Sequence, residues 1–270
     1  MFENIGKSFI AKLSLVIIVL WLILALIFGF TDLDISKAVV DENSTWGIFG
    51  REFGEAPGWG LIAIAISTLI GSYDENIKKQ KIPAYVITFI GIVLFALGVI
   101  DNSSYLMLIG GSMALSLVLF TLITFRKDWG DYRKISAVIT VLTIINPLLF
   151  IQITKIFWGR VRFRDLSSGF IEYTPWFIPQ GITGNQSFPS GHTAMGWMSL
   201  PLLIALWKKQ WKSSIKIIGT ISIIGWGIFV GLSRIAIGAH YSSDVLFSTG
   251  IAMMVTLLLF KKYYSIQDSS

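Results

Sequence analysis

The sequence has no cysteine and only two histidines in 270 residues. Without cysteine there is no disulfide framework and no thiolate metal site. That lack does not identify a compartment, because exported proteins also manage without disulfides. Charge is scarce as well. Asp, Glu, Lys and Arg make up 14% of the chain, against about 25% in an ordinary soluble domain. Internal repeats and low-complexity stretches are missing. Apolar residues fill the space: 54% of the chain is hydrophobic, the mean hydropathy is +0.70, and there are 10 Trp and 19 Phe. Such a composition belongs to helices that meet lipid and its interfaces. The net charge of +6 does not point to nucleic acid, since the basic residues sit in short loops between apolar runs and form no patch on a soluble fold.

A hydrocarbon core of about 30 Å takes roughly 20 apolar residues of helix to cross. Eight runs qualify: 10–30, 57–73, 84–100, 105–125, 135–154, 190–207, 215–236 and 244–260. The first is uncharged from Leu13 to Phe30. It is longer than the ~7–15-residue core of a signal peptide and is expected to be retained. The run at 57–73 is short and rich in glycine. Asp101-Asn102-Ser103-Ser104 reads as a tight turn between two spans. The expectation is an all-α, polytopic membrane protein of one domain, residues 1–270, with 1–83 as additional N-terminal helices and 84–262 as the core.

Lys and Arg set the orientation. With the N-terminus inside, fifteen of the 22 basic residues fall in inner segments, among them Lys7, Lys12, Lys208, Lys209 and Lys212. This obeys the positive-inside rule and puts both termini in the cytoplasm. The outer basic residues concentrate at 155–164 and at Arg234, a cluster that invites a functional explanation. The outer loop 155–189 exceeds the ~12–15 residues usual for an unstructured connection. Its Phe170, Tyr173, Trp176 and Phe177 argue for a cap packed on the membrane surface. A second outer segment, 31–56, suits a short interfacial helix, and 263–270 reads as a frayed tail.

Three stretches lie at the same expected face. Lys155-Ile-Phe-Trp-Gly-Arg160-Val-Arg162 follows the fifth span. Ser187-Phe-Pro-Ser190-Gly191-His192 leads into the sixth. Ser233-Arg234 through His240 to Asp244 joins the seventh and eighth. Both histidines of the chain are here. Lys155, Arg162 and Arg234 bring positive charge, and arginine's planar fork binds phosphate oxygens bidentately. Ser190 and Gly191 lie where a helix begins, a place that favours an anion. His240 and Asp244 are four apart. On one helix face, the carboxylate would fix the imidazole tautomer and free the other nitrogen to attack. His192 is then available as general acid. Taken singly, each feature has a plainer reading: a hydrogen-bonded interfacial histidine, a headgroup anchor, a helix start. Their conjunction on one face outweighs those readings.

These stretches resemble the signature of the type 2 phosphatidic acid phosphatase superfamily, Lys-x6-Arg-Pro, Pro-Ser-Gly-His and Ser-Arg-x5-His-x3-Asp. The second and third match in full at Pro189–His192 and Ser233–Asp244. The first matches at Lys155 and Arg162, with Phe163 where the family has proline. The resemblance covers about residues 150–260. It implies that Lys155, Arg162, Ser190, Gly191 and Arg234 bind the phosphoryl group. His240 would form a phosphohistidine with Asp244 orienting it, and His192 would protonate the leaving group, with no metal or other cofactor. It implies a six-helix core with three helices before the first motif, so the first two spans read as an addition.

The expected activity is metal-independent hydrolysis of a lipid phosphomonoester or pyrophosphate at the extracytoplasmic surface, with the bilayer and the lipid phosphate as partners. A phosphotransferase and a haloperoxidase-like oxidase are the same-fold alternatives, and the membrane setting disfavours the oxidase. A non-enzymatic anion transporter would need charge deep within the spans, whereas here charge gathers at their ends.

Overall fold

A computed structural model describes residues 7–264 except 208, 209, 211 and 212, with side chains from residue 10 onward. Lys208, Lys209, Lys212, the side chain of Lys7 and the tail from 265, on which parts of the orientation and tail expectations rest, lie outside the described residues. The helices are α1 (Lys7–Val39), α2 (Thr45–Phe53), α3 (Ala56–Gly71), α4 (Ile82–Ile100), α5 (Ser104–Thr124), α6 (Arg133–Thr143), α7 (Ile151–Trp158), α8 (Gly191–Gly196), α9 (Leu202–Trp207), α10 (Ser214–Ala236) and α11 (Ser242–Tyr264). There is no strand among the described residues. Among the described residues, seven helical segments are long and apolar enough to cross a membrane. The chain is an all-α, multi-pass membrane protein. Helices are what lipid permits, because each one satisfies its own backbone polar groups. Large apolar side chains such as Leu26, Phe30, Phe89, Ile123 and Ile221 stay exposed on the bundle surface, where acyl chains solvate them.

The elements refine the expected runs. The first helix does not stop near residue 30. It continues to Val39 because Asp32 and Ser36, which would end an exposed apolar run, are fully buried. In the segment 31–56, α2 is a short helix capped by the Ser44 side chain, with Trp46, Phe49 and Phe53 exposed on it. The weakly apolar run at 57–73 is α3, and half of its span is buried. It faces protein more than lipid, so it needs less hydropathy. The run at 190–207 is not one helix. It consists of α8, a 3-10 turn at Trp197–Ser199, and α9, interrupted at Pro201, which has no N–H to continue the ladder. Between α6 and α7, the backbone winds as a π-helix over Ile144–Phe150 around Pro147, a local widening that accommodates proline.

Packing divides the helices into two groups. α1 lies along α11, α3 lies against α6 and α8, and α10 lies against α2 and α8. Their shared core holds Leu142, Trp197, Met198 and Ala252. α4 and α5 pack chiefly on each other and on α3. They approach so closely at Gly91 that an added Cβ would lie 2.9 Å from the Gly110 carbonyl oxygen. The segment 7–71 therefore borders the elements that carry the three stretches, while the α4–α5 pair flanks α3.

Candidate active site

Backbone hydrogen bonds lace the three stretches together at one end of the bundle. The Ser187 N–H donates to the Arg160 carbonyl at 3.0 Å, the Ser190 N–H to Asp244 at 3.1 Å, and the Arg164 N–H to Gly238 at 3.1 Å. The first two bonds join the first stretch to the second and the second to the third, and the last ties the residues just after the first stretch to the third. Gly238 has φ of +66°, a left-handed turn suited to glycine. It lets the chain leave α10 and return, with the N–H groups of Ala239 and His240 both donating to the Arg234 carbonyl.

His240 precedes α11 and does not share a helix face with Asp244. The reversal at Gly238 brings the two together instead, with His240 Nδ1 3.4 Å from Asp244 Oδ2. The contact is too long or too bent for a hydrogen bond, and His240 Nδ1 has no other partner among the described residues, while three other groups hold the carboxylate. Oδ2 accepts from Ser187 Oγ at 2.6 Å and from the Tyr241 N–H at 2.9 Å. Oδ1 accepts from Arg160 at 2.7 Å. Burial holds the His240 imidazole below its ordinary pKa, and the Asp244 carboxylate pulls the other way. The neutral form, the one able to attack, is favoured.

Arg160 is the centre of a buried network. Nη1 donates to Asp244 and to Ser243 Oγ at 2.9 Å, Nη2 to Asp32 at 3.0 Å, and Nε to the Thr174 carbonyl at 2.8 Å. Its guanidinium lies 3.9 Å over the Tyr241 ring. Asp32 accepts in addition from the Ser243 N–H at 3.0 Å and from its hydroxyl. One arginine thus joins α1, the 155–189 loop and the start of α11. A forked cation matched to two carboxylates is the arrangement in which buried charge is tolerated.

The cations expected to face phosphate are arranged differently. Arg234 is buried, and its Nε and Nη1 have no partner among the described residues. A desolvated cation in that state calls for an anion. Lys155 Nζ lies 3.6 Å from where a Cβ on Gly191 would stand, so the first two stretches meet there and glycine keeps the approach open. Arg162 is partly exposed, 3.9 Å from Asp165. Ser190 caps α8, with its hydroxyl accepting from the Thr193 N–H and Thr193 Oγ1. Phe163 begins a 3-10 turn and stacks on Phe170 at 5.8 Å, so an aromatic contact stands where the family has proline.

His192, at the start of α8, meets a residue that the sequence reading had not singled out. Its Nδ1 is 3.0 Å from Glu55 Oε1, and its Nε2 is 3.3 Å from the Arg51 carbonyl oxygen. Asp32, Glu55 and the bridging role of Arg160 all escaped that reading. Asp32 had one signal, an acid within an apolar helix, which membrane burial makes costly without a partner. The 155–189 loop packs on the helices. The Trp176 indole donates to Ala25 of α1 at 2.8 Å, its ring lies 4.5 Å from Phe247, and Trp158 stacks on Phe188 at 4.9 Å. No group of three or more His, Cys, Asp or Glu suited to a metal occurs among the described residues.

Comparison with known proteins gives two matches. Residues 135–267 match the model of the PAP2 superfamily. Phosphatidylglycerophosphatase B of Haemophilus influenzae is 33% identical over 78 residues, which cover 27% of this chain and 31% of that protein. The chain therefore aligns with about a third of that relative's length. No solved structure matches.

Proposed function

Residues 135–267 belong to the PAP2 superfamily, and from that premise we propose that the protein is a phosphatase of lipid phosphates acting through a phosphohistidine. The observation that carries this reading is the convergence at one end of a membrane bundle of two histidines, a carboxylate beside one of them, and the buried Arg234 with unpartnered nitrogens. His240 Nε2, on the ring side away from Asp244, attacks phosphorus. The phosphorus–oxygen bond to the lipid breaks, and His192 gives its proton to the leaving oxygen. Water then attacks the phosphohistidine and passes a proton to His192. The phosphorus–nitrogen bond breaks, and inorganic phosphate leaves. Lys155, Arg162, Gly191 and Arg234 hold the phosphoryl oxygens, with the Ser190 hydroxyl turning from its cap to join them.

The substrate class includes phosphatidate, phosphatidylglycerol phosphate, diacylglycerol pyrophosphate and polyprenyl pyrophosphate. The relative's name favours the second. Release of phosphate from this panel by purified protein in detergent with EDTA tests the reading. Wild-type protein should release it and hold acid-labile phosphate when quenched during turnover, and His240→Ala should do neither. Substantial turnover by His240→Ala would overturn the assignment.

The excess of Lys and Arg in alternate loops supports cytoplasmic termini and an extracytoplasmic site. Ser168 is exposed in the loop, and the chain has no cysteine of its own. Ser168→Cys should react with an impermeant maleimide in intact cells. Labelling only after lysis would invert the orientation.

A further inference from the structure

Glu55 is buried at the junction of α2 and α3, outside the stretch that matches the superfamily. Its position is fixed from both sides. Oε2 accepts from the Trp59 indole at 3.2 Å, and the preceding carbonyl, that of Gly54, accepts from the Trp226 indole at 3.2 Å. Oε1 faces His192 Nδ1 at 3.0 Å. The other ring nitrogen, Nε2, faces the Arg51 carbonyl, which can only accept. Both contacts are satisfied only when a proton lies between Glu55 and Nδ1 and a second is carried on Nε2. The Nε2 contact is long, at 3.3 Å, and so is readily exchanged for a better acceptor.

We infer that Glu55 is a positioning residue for His192, holding the proton at Nδ1 so that Nε2–H is the one delivered to the leaving oxygen. This rests on the reaction proposed above and adds to it a residue that the three-part signature does not contain. On delivery, the Nε2–H bond breaks and the oxygen–hydrogen bond of the leaving alcohol forms. The imidazole left behind keeps Nδ1–H against the carboxylate and accepts the proton of the attacking water at Nε2. Each histidine of the site then has its own carboxylate. Asp244 serves His240 from within the third stretch, and Glu55 serves His192 from the N-terminal helices.

The test is Glu55→Gln, which keeps the shape and the hydrogen bond to Trp59 but removes the charge. Tyr105, Lys155, Arg234 and His240 are other ionisable groups that bear on this pair. All remain in the variant, so a change in pH profile reports the carboxylate. On the lipid of the panel turned over fastest, kcat should fall roughly tenfold to a hundredfold, part of the ~10²–10⁴ that general acid catalysis supplies, with KM little changed. Burial, with Arg234 and His240 nearby, already holds the His192 imidazole below its ordinary pKa. Loss of the Glu55 anion should move the alkaline limb of kcat to still lower pH, because imidazolium without its anion loses its proton more easily. With p-nitrophenyl phosphate, whose leaving group needs no proton, both effects should nearly vanish. In a His192→Ala background, Glu55→Gln should add almost nothing. Equal losses on both substrates, an unmoved alkaline limb, or an additive loss in the double variant would overturn the inference. A wild type that releases no phosphate, or an active His240→Ala, would instead sink the reaction itself. Wild-type behaviour of Glu55→Gln beside an inactive His240→Ala would sink the role of Glu55 alone.

Discussion

His240 and His192 stand at the same end of the bundle, but their surroundings differ. The His240 side chain is 4% exposed and its carboxylate is fully buried, held by Arg160, Ser187 and the Tyr241 N–H. The His192 side chain is 27% exposed and touches one carboxylate and one carbonyl. A nucleophile must be held in one tautomer and one place through two chemical steps, and a rigid, closed network does that. A group that trades a proton with a departing alcohol and then with water needs access and a contact it can give up. The two environments suit the two tasks proposed above for His240 and His192.

Loss of the nucleophile should break the comparison most completely. His240→Ala should lose more than about 10⁴-fold on the lipid and on p-nitrophenyl phosphate alike, since no leaving group compensates for a missing nucleophile. His192→Ala should lose ~10²–10⁴ on the lipid and much less on the aryl ester. Equal losses on the two substrates for His192→Ala would reassign it from acid to phosphate binding. The same contrast has a pH signature. Burial favours neutral His240, so the acid-side fall of kcat/KM should lie below the ordinary histidine value of about 6.5. The nucleophile is lost only as pH drops through the lowered value. An acid limb at or above 6.5 would contradict the closed environment drawn for that residue.

Smaller effects should sharpen the comparison through the Arg160 network. Arg160→Lys keeps the charge but cannot fork between Asp32 and Asp244. It should lower stability by up to about 3–5 kcal/mol, the range for breaking a buried pair, and slow both substrates together. Asp32→Asn should cost less, about 1–3 kcal/mol for a weakened charge-assisted hydrogen bond. Thermal unfolding in detergent measures both. A selective loss on the lipid substrate in either variant would show the network acting on the acid rather than on the nucleophile.

Much of the site was legible as short patterns. Pro189–His192 and Ser233–Asp244 are local, and the turn that joins His240 to Asp244 is encoded within a few residues by Gly238. Long apolar runs announced the helices, because crossing lipid demands them whatever the fold. The break in the sixth run follows from Pro201, which lies within an otherwise apolar stretch. Glu55 and Asp32 were not legible as site residues. Each meets its partner across a large sequence separation, and Glu55 sits in a glycine-rich segment whose weak hydropathy reads as a poor span rather than as a buried one.

The sequence by itself determined that this chain is helical, lives in a bilayer and carries a phosphoryl-transfer signature, since apolar length, basic asymmetry and motif spacing are local properties of a chain. Only the tertiary structure decided that α1 and the α2–α3 junction belong to the site. The α4–α5 pair, though nearer in sequence to the first signature stretch, packs on α3, and none of its residues hydrogen-bonds to a signature residue among those described. The physical reason is that a buried charge is settled by whichever partner the packing brings to it. The fold brought Asp32 to Arg160 and Glu55 to His192, pairings that no spacing along the chain could specify.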